Sequence, residues 1–220
     1  MSAVIVRTFE APSFCEREAL RYAGCKEKHE ETLRLLAECL KEAQDRLSYR
    51  VCYRELPLQI SGSICDFGAF SVESGKLAAN LAGCGECLIF AATIGVEMDR
   101  LIARYGRIAP AKALLFQAIG AERIEALCDA FVKSYALETG AGLKPRFSPG
   151  YGDVPLTVQK DVFSVLDCAG KISLSLNDSM LLSPSKSVTA FAGITKETDA
   201  KAHDKCSLCE NKNCAFRSKL

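Results

Sequence analysis

The apolar positions along this chain switch repeatedly between helical and strand spacing. From His29 to Leu47 the residues Leu33, Leu35, Leu36, Ala37, Leu40, Ala43 and Leu47 recur at intervals of three and four with Glu, Lys and Arg between them, which predicts an amphipathic helix. Ser13-Phe-Cys-Glu16 has the form of a capping box and predicts an earlier, shorter helix ending near Gly24. Tyr49 to Leu58 alternates and is rich in aromatic and β-branched residues, and Ile60-Ser-Gly-Ser-Ile64 and Phe67 to Val72 read as further short strands of an antiparallel group. Lys76 to Leu81 predicts a short helix stopped by Gly83. Leu88-Ile-Phe-Ala-Ala-Thr93 is apolar throughout, as a strand covered on both faces must be.

Two more helices follow, over Val96 to Tyr105 and over Ala109 to Leu137, with Gly120 inside the second as a point of close packing or bending. Ala141 to Pro155 holds three prolines and three glycines and predicts an ordered loop. Beyond it, Thr157 to Leu166 predicts a helix capped by Thr157 and ended by Gly170. Ile172 to Leu176 and Val188 to Ile194 alternate as half-buried strands with a hairpin-like return between them. With no repeat and no low-complexity linker, the simplest partition is one α+β domain over 1–195, antiparallel sheets packed with helices, and a polar, cysteine-rich tail over 196–220.

Composition narrows the classes. Hydrophobic residues at 49% supply a sizeable core and exclude a disordered or collagenous chain. The 28 basic and 27 acidic residues nearly cancel, so no global field draws the chain to nucleic acid or to an anionic membrane. The longest apolar run is about half of the roughly 20 residues a spanning helix needs. The amino terminus lacks the pattern of a secretion signal, which points to the cytoplasm. Twelve cysteines then fit a reducing compartment better than a disulfide scaffold. Cys15, Cys25, Cys39, Cys52, Cys65, Cys128 and Cys168 stand singly among apolar neighbours, where a thiol behaves as a small hydrophobe.

Two groups of cysteines remain. His203, Cys206, Cys209 and Cys214 fall within a dozen residues, a spacing that closes around one tetrahedral zinc ion or supplies three thiolates to an iron–sulfur cluster. An unmetallated tail of reduced thiols is equally compatible with it. Cys84 and Cys87 have the spacing of half a metal site or a redox pair, or simply occupy a turn between helix and strand.

Arg146-Phe-Ser-Pro-Gly-Tyr151 sets a planar cationic fork, an unencumbered backbone and an aromatic ring within one rigid turn, an arrangement suited to a small anionic or zwitterionic ligand. A loop in which Arg146 caps a helix and Tyr151 plugs the core would account for the same residues. Arg-x-x-Pro-Gly-Tyr followed by Pro155, Gln159-Lys160, Leu176-Asn-Asp-Ser-Met180, Pro184 and Ser187-Val-Thr-Ala-Phe191 resembles the activation (reactivation) domain of cobalamin-dependent methionine synthase. Upstream, Leu88 to Gly95 and Ala121 to Asp129 look like short, free-standing members of that family. The resemblance covers nearly the whole chain apart from the tail.

The resemblance implies an α+β domain that binds S-adenosylmethionine and supports reductive remethylation of inactive cob(II)alamin. Arg146 would grip the ligand carboxylate, Ser148 and Gly150 would present main-chain groups, Tyr151 would stand near the transferring methyl, and Glu125 falls near an acidic contact position. Larger members use a tyrosine pair late in the domain, and this chain has no tyrosine after Tyr151. Its histidines, His29 and His203, lie outside any cobalamin-binding Asp-x-His-x-x-Gly loop. The resemblance therefore implies an accessory component that does not catalyse alone. It would act on cobalamin carried by a separate corrinoid methionine synthase, with flavodoxin or ferredoxin as reductant. An iron–sulfur or zinc-binding electron-transfer accessory protein is the competing expectation, and a self-contained methyltransferase is disfavoured by the absence of a glycine-rich turn after a first strand.

Overall fold

The computed structural model describes residues 3–25, 27 and 29–196. Its frame is a five-stranded sheet of order β1-β2-β6-β10-β7, with every neighbouring pair antiparallel. The strands are β1 (Ile5–Phe9), β2 (Tyr49–Pro57), β6 (Glu86–Thr93), β7 (Gly142–Leu143) and β10 (Ser187–Thr195). Side chains alternate across it. Val51, Tyr53, Leu88, Phe90, Ala92, Ala190 and Ala192 pack on one face against α1 (Glu16–Tyr22), α2 (Glu30–Ala43), α4 (Glu97–Ile108) and α5 (Pro110–Thr139). Cys52, Leu56, Cys87, Ile89, Ala91 and Phe191 pack on the other. Their partners there are α3 (Gly75–Asn80), α6 (Gln159–Leu166), α7 (Cys168–Ile172) and a small sheet of β3 (Gln59–Ser61), β4 (Ile64–Asp66) and β5 (Ser71–Glu73). The α+β class with antiparallel sheets packed against helices is thus observed, and two cores explain why β6 has no polar face.

Several sequence expectations are corrected. The strand Ile5–Phe9 went unread, because a short edge strand with exposed Ile5 and Val6 carries little periodicity. Ile60 to Ile64 is no single strand: Gly62, at φ +61°, turns it into the β3–β4 hairpin. Ser13 does not cap α1. Cys15 occupies the cap position, and its N–H is satisfied from a distance by Glu122 Oε1 at 3.0 Å. Thr157 lies in a 3-10 turn ahead of α6, and the helix breaks at Asp167 in the left-handed region rather than at Gly170. Gly170 sits inside α7 because a Cβ there would meet the Asp167 carboxylate at 2.6 Å. Ile172 ends α7, so that only Ser175–Leu176 forms a strand, β8, which pairs with β9 (Leu182–Ser183) and not with β10. β10 itself is buried on both faces rather than half-buried.

Among the scattered cysteines, Cys39, Cys52, Cys65, Cys128 and Cys168 are buried, whereas Cys15 is exposed and Cys25 intermediate. Gly120 is the expected close approach. A Cβ there would lie 2.9 Å from both Lys186 and Met98, and α5 runs unbroken past it.

Candidate functional site

The loop from Arg146 to Asp153 is fixed at both ends. At its start Phe147 exchanges two backbone hydrogen bonds with Phe191 of β10, at 2.9 and 2.8 Å. In its middle the Tyr151 N–H donates to the Ser148 carbonyl at 3.1 Å, with Pro149 and Gly150 (φ +87°) as the central pair, the residues a type II turn requires. At its end the Asp153 carboxylate accepts from the Ser74 hydroxyl and from the N–H groups of Gly75 and Lys76 at the start of α3. These bonds, led by the Ser74 hydroxyl, hold the Asp153 carboxyl below its ordinary range. Gly152 is obligatory as well, since a Cβ there would come within 2.9 Å of Lys76 and 3.1 Å of Phe147.

This anchoring presents Tyr151 to solvent with 71% of its surface exposed. The ring does not plug the core. The Ser148 carbonyl is engaged in the turn and the Gly150 N–H donates to Val154 at 3.0 Å. The Ser148 N–H and the Gly150 carbonyl are the main-chain groups of these residues that the turn does not use.

Arg146 turns inward to α5. Its Nη2 lies 2.9 Å from Glu125 Oε2 and 2.7 Å from Asp129 Oδ1, two carboxylates four residues apart on one helix face. The Arg146 side chain is 9% exposed, yet its Nη1 is buried with no hydrogen-bond partner among the described residues. Burial acts to lower the guanidinium pKa, but the nearby Cys128, Asp129 and Glu125 outweigh it and hold the pKa above its usual value. The arrangement is a fixed cation with one nitrogen shared between two acids and another buried without an acceptor among the described residues.

Of the sequence-predicted ligand residues, Arg146 and Glu125 are brought into contact, and Ser148, Gly150 and Tyr151 form the adjacent turn. Asp129 was missed, although its spacing of four from Glu125 on a predicted helix was the signal that could have found it. A concavity of about 740 Å³ opens elsewhere, at the carboxy-terminal end of α5, and none of the predicted site residues lines it. Cys84 lies in the turn between α3 and β6, and Cys87 is in β6. Burial pushes both thiols up, away from the reactive thiolate of a redox pair, and no group of three or more His, Cys, Asp and Glu that could hold a metal exists among the described residues. His203, Cys206, Cys209 and Cys214 lie outside the described residues.

No family model and no curated protein matches this chain. Among solved structures it is similar to a crystal structure of the MetH reactivation domain bound to AdoHcy. The TM-score is 0.64 and the identity 14%, over 87% of this chain and 78% of that one. At that identity the likeness is one of fold. No helix among the described residues is long and apolar enough to cross a membrane.

Proposed function

We propose that the chain is an activation component that binds S-adenosylmethionine at the Arg146 loop and supports reductive remethylation of cob(II)alamin on a separate, corrinoid-carrying methionine synthase. The observation that carries this reading is the buried, unpartnered Nη1 of Arg146 on a fold like that of a reactivation domain bound to AdoHcy.

The donor set fits the amino-acid end of such a ligand. In this reading a ligand carboxylate is taken by Arg146 in a charge-assisted bond, and the Glu125 and Asp129 carboxylates beside it are acceptors suited to a ligand ammonium. When bound, the sulfonium supplies an electrophilic methyl group for the reduced cobalt of the partner. This chain's own part would be to orient the donor: Arg146 to fix its carboxylate, the Ser148–Gly150 turn to keep the backbone close and free of side-chain bulk, and the exposed Tyr151 to face the partner. An external one-electron donor, flavodoxin or ferredoxin, completes the cycle. His203, Cys206, Cys209 and Cys214 are proposed as a zinc or iron–sulfur site, which metal analysis and a visible spectrum of the purified full chain distinguish.

The test is functional. With S-adenosylmethionine, a low-potential reductant and a cob(II)alamin-loaded synthase lacking its own activation domain, addition of the chain should restore the methylcobalamin spectrum. The Arg146→Ala variant should not. Equal recovery with that variant, or none with the wild type, contradicts the proposal.

A further inference from the structure

We infer that Lys186 and Gln117 form a second pole of the Arg146 site and take the nucleoside end of the ligand whose amino-acid end Arg146 takes. The inference rests on the ligand-binding reading above.

Lys186 is seated across α5 by a glycine. A Cβ at Gly120 would lie 2.9 Å from both Cγ and Cε of Lys186, so the lysine stem occupies the space that a side chain at 120 would fill. Glycine weakens a helix interior, and here the gap it leaves admits the stem. The backbone around the stem is fixed as well. The Lys186 carbonyl accepts from the Ile94 N–H at 3.2 Å, the Ser185 N–H donates to the Asp99 carboxylate at 2.8 Å, and the Ser187 hydroxyl donates to the Pro184 carbonyl at 2.8 Å. The head of the lysine is only partly used. Its Nζ donates to Gln117 Oε1 at 2.5 Å, which engages one of its three N–H groups and leaves the Gln117 amide N–H groups facing outward chemistry as donors. Burial holds the Lys186 pKa below its usual value, with the Asp99 charge opposing, so an acceptor brought by a ligand replaces hydration that the ammonium has lost.

The pair lies in line with the arginine. Gln117, Ala121, Glu125 and Asp129 recur every four residues and share one face of α5, and none of the four is buried. From Gln117 to Glu125 the helix rises about 12 Å, and the residue midway is the small Ala121. Lys186 immediately precedes β10, and Arg146 precedes Phe147, which pairs with Phe191 inside β10, so the two cations reach α5 in the same order along the strand as Gln117 and Glu125 follow along the helix. An amino acid joined through sulfur to a nucleoside covers that span. Its carboxylate and ammonium meet Arg146, Glu125 and Asp129, and its ribose oxygens and purine ring nitrogens are acceptors for the N–H groups of Lys186 and Gln117.

The experiment is calorimetry on the full chain with S-adenosylhomocysteine, and displacement of that ligand by methylthioadenosine, which keeps the nucleoside and lacks the amino-acid end. Lys186→Met retains the stem over Gly120, and Gln117→Leu changes an exposed position without touching the packing there. Lys186→Met should weaken S-adenosylhomocysteine about tenfold and Gln117→Leu about threefold, and the two together should bind within about twofold of Lys186→Met alone. Methylthioadenosine should displace the ligand from the wild type, and Lys186→Met should weaken that displacement by the same factor to within about twofold. Wild-type affinity for S-adenosylhomocysteine in both single variants, failure of methylthioadenosine to displace it from the wild type, or a loss in Lys186→Met that spares methylthioadenosine overturns the inference while leaving the Arg146 site standing. No binding of S-adenosylhomocysteine by the wild type overturns both.

Discussion

Two arginine–carboxylate clusters use acids of α5 about one turn apart, and they are built to opposite ends. Arg123 and Glu122 are 3% and 4% exposed, and every guanidinium nitrogen has an acceptor: Nε and Nη2 on Glu122, Nη2 also on the Ser13 carbonyl, and Nη1 on the Pro12 carbonyl. The remaining capacity of Glu122 is taken by the Cys15 N–H. Arg146 is nearly as buried, but its two acids crowd onto one nitrogen, are 38% and 72% exposed, and leave Nη1 without a partner among the described residues. A saturated buried pair is a clamp and fixes chain to chain. An unsaturated one carries a free-energy cost that a ligand can relieve, which makes it a binding element rather than a staple.

The largest expected effect separates the two. Glu122→Ala strands Arg123 in the core and frees the Cys15 N–H, so urea unfolding should show a loss of about 3–5 kcal/mol. Arg146→Ala leaves two acids that can turn toward water, and the same measurement should show a loss of only about 1 kcal/mol. If the two losses were equal, the distinction between clamp and binding element would fail.

Gly120, one turn before Arg123, gives a scale between them. Gly120→Ala forces a Cβ to 2.9 Å from Lys186 and Met98 and should cost about 1–3 kcal/mol by the same measurement.

The smallest effect concerns the far anchor of the loop. The Asp153 carboxyl is held below its ordinary range, so its contribution is fully present above the unfolded-state pKa and is lost as the pH falls through the lower folded value. Wild type should therefore lose stability more steeply than Asp153→Asn on acidification below about pH 4, the ordinary carboxylate range, as read by acid-dependent melting. Parallel acid limbs would show that Asp153 does not hold the loop.

Local signals reached different depths in this chain. The helix over 30–43, the long helix over 110–139 and the fully apolar β6 were legible because their periodicity or its absence reports burial directly. What failed were features set by a distant partner or by an unusual local backbone angle. The capping box at Ser13 was a false local match, since the amide at the head of α1 is satisfied by Glu122, 107 residues on. The break at Asp167 depends on a non-glycine residue adopting φ 48°, which no local rule selects.

The site shows the same division. The turn from Ser148 to Tyr151 follows from Pro-Gly alone, whereas the inward turn of Arg146 onto two α5 carboxylates was not read from the sequence. That Asp129 shares the arginine with Glu125 required α5 and the loop to be brought together.

The measurement that bears most directly on the central claim is calorimetric titration of S-adenosylhomocysteine into the full chain and into Arg146→Ala. The account predicts saturable one-to-one binding by the wild type and none by the variant, whose melting temperature stays close to that of the wild type. Binding that survives unchanged in Arg146→Ala would contradict it.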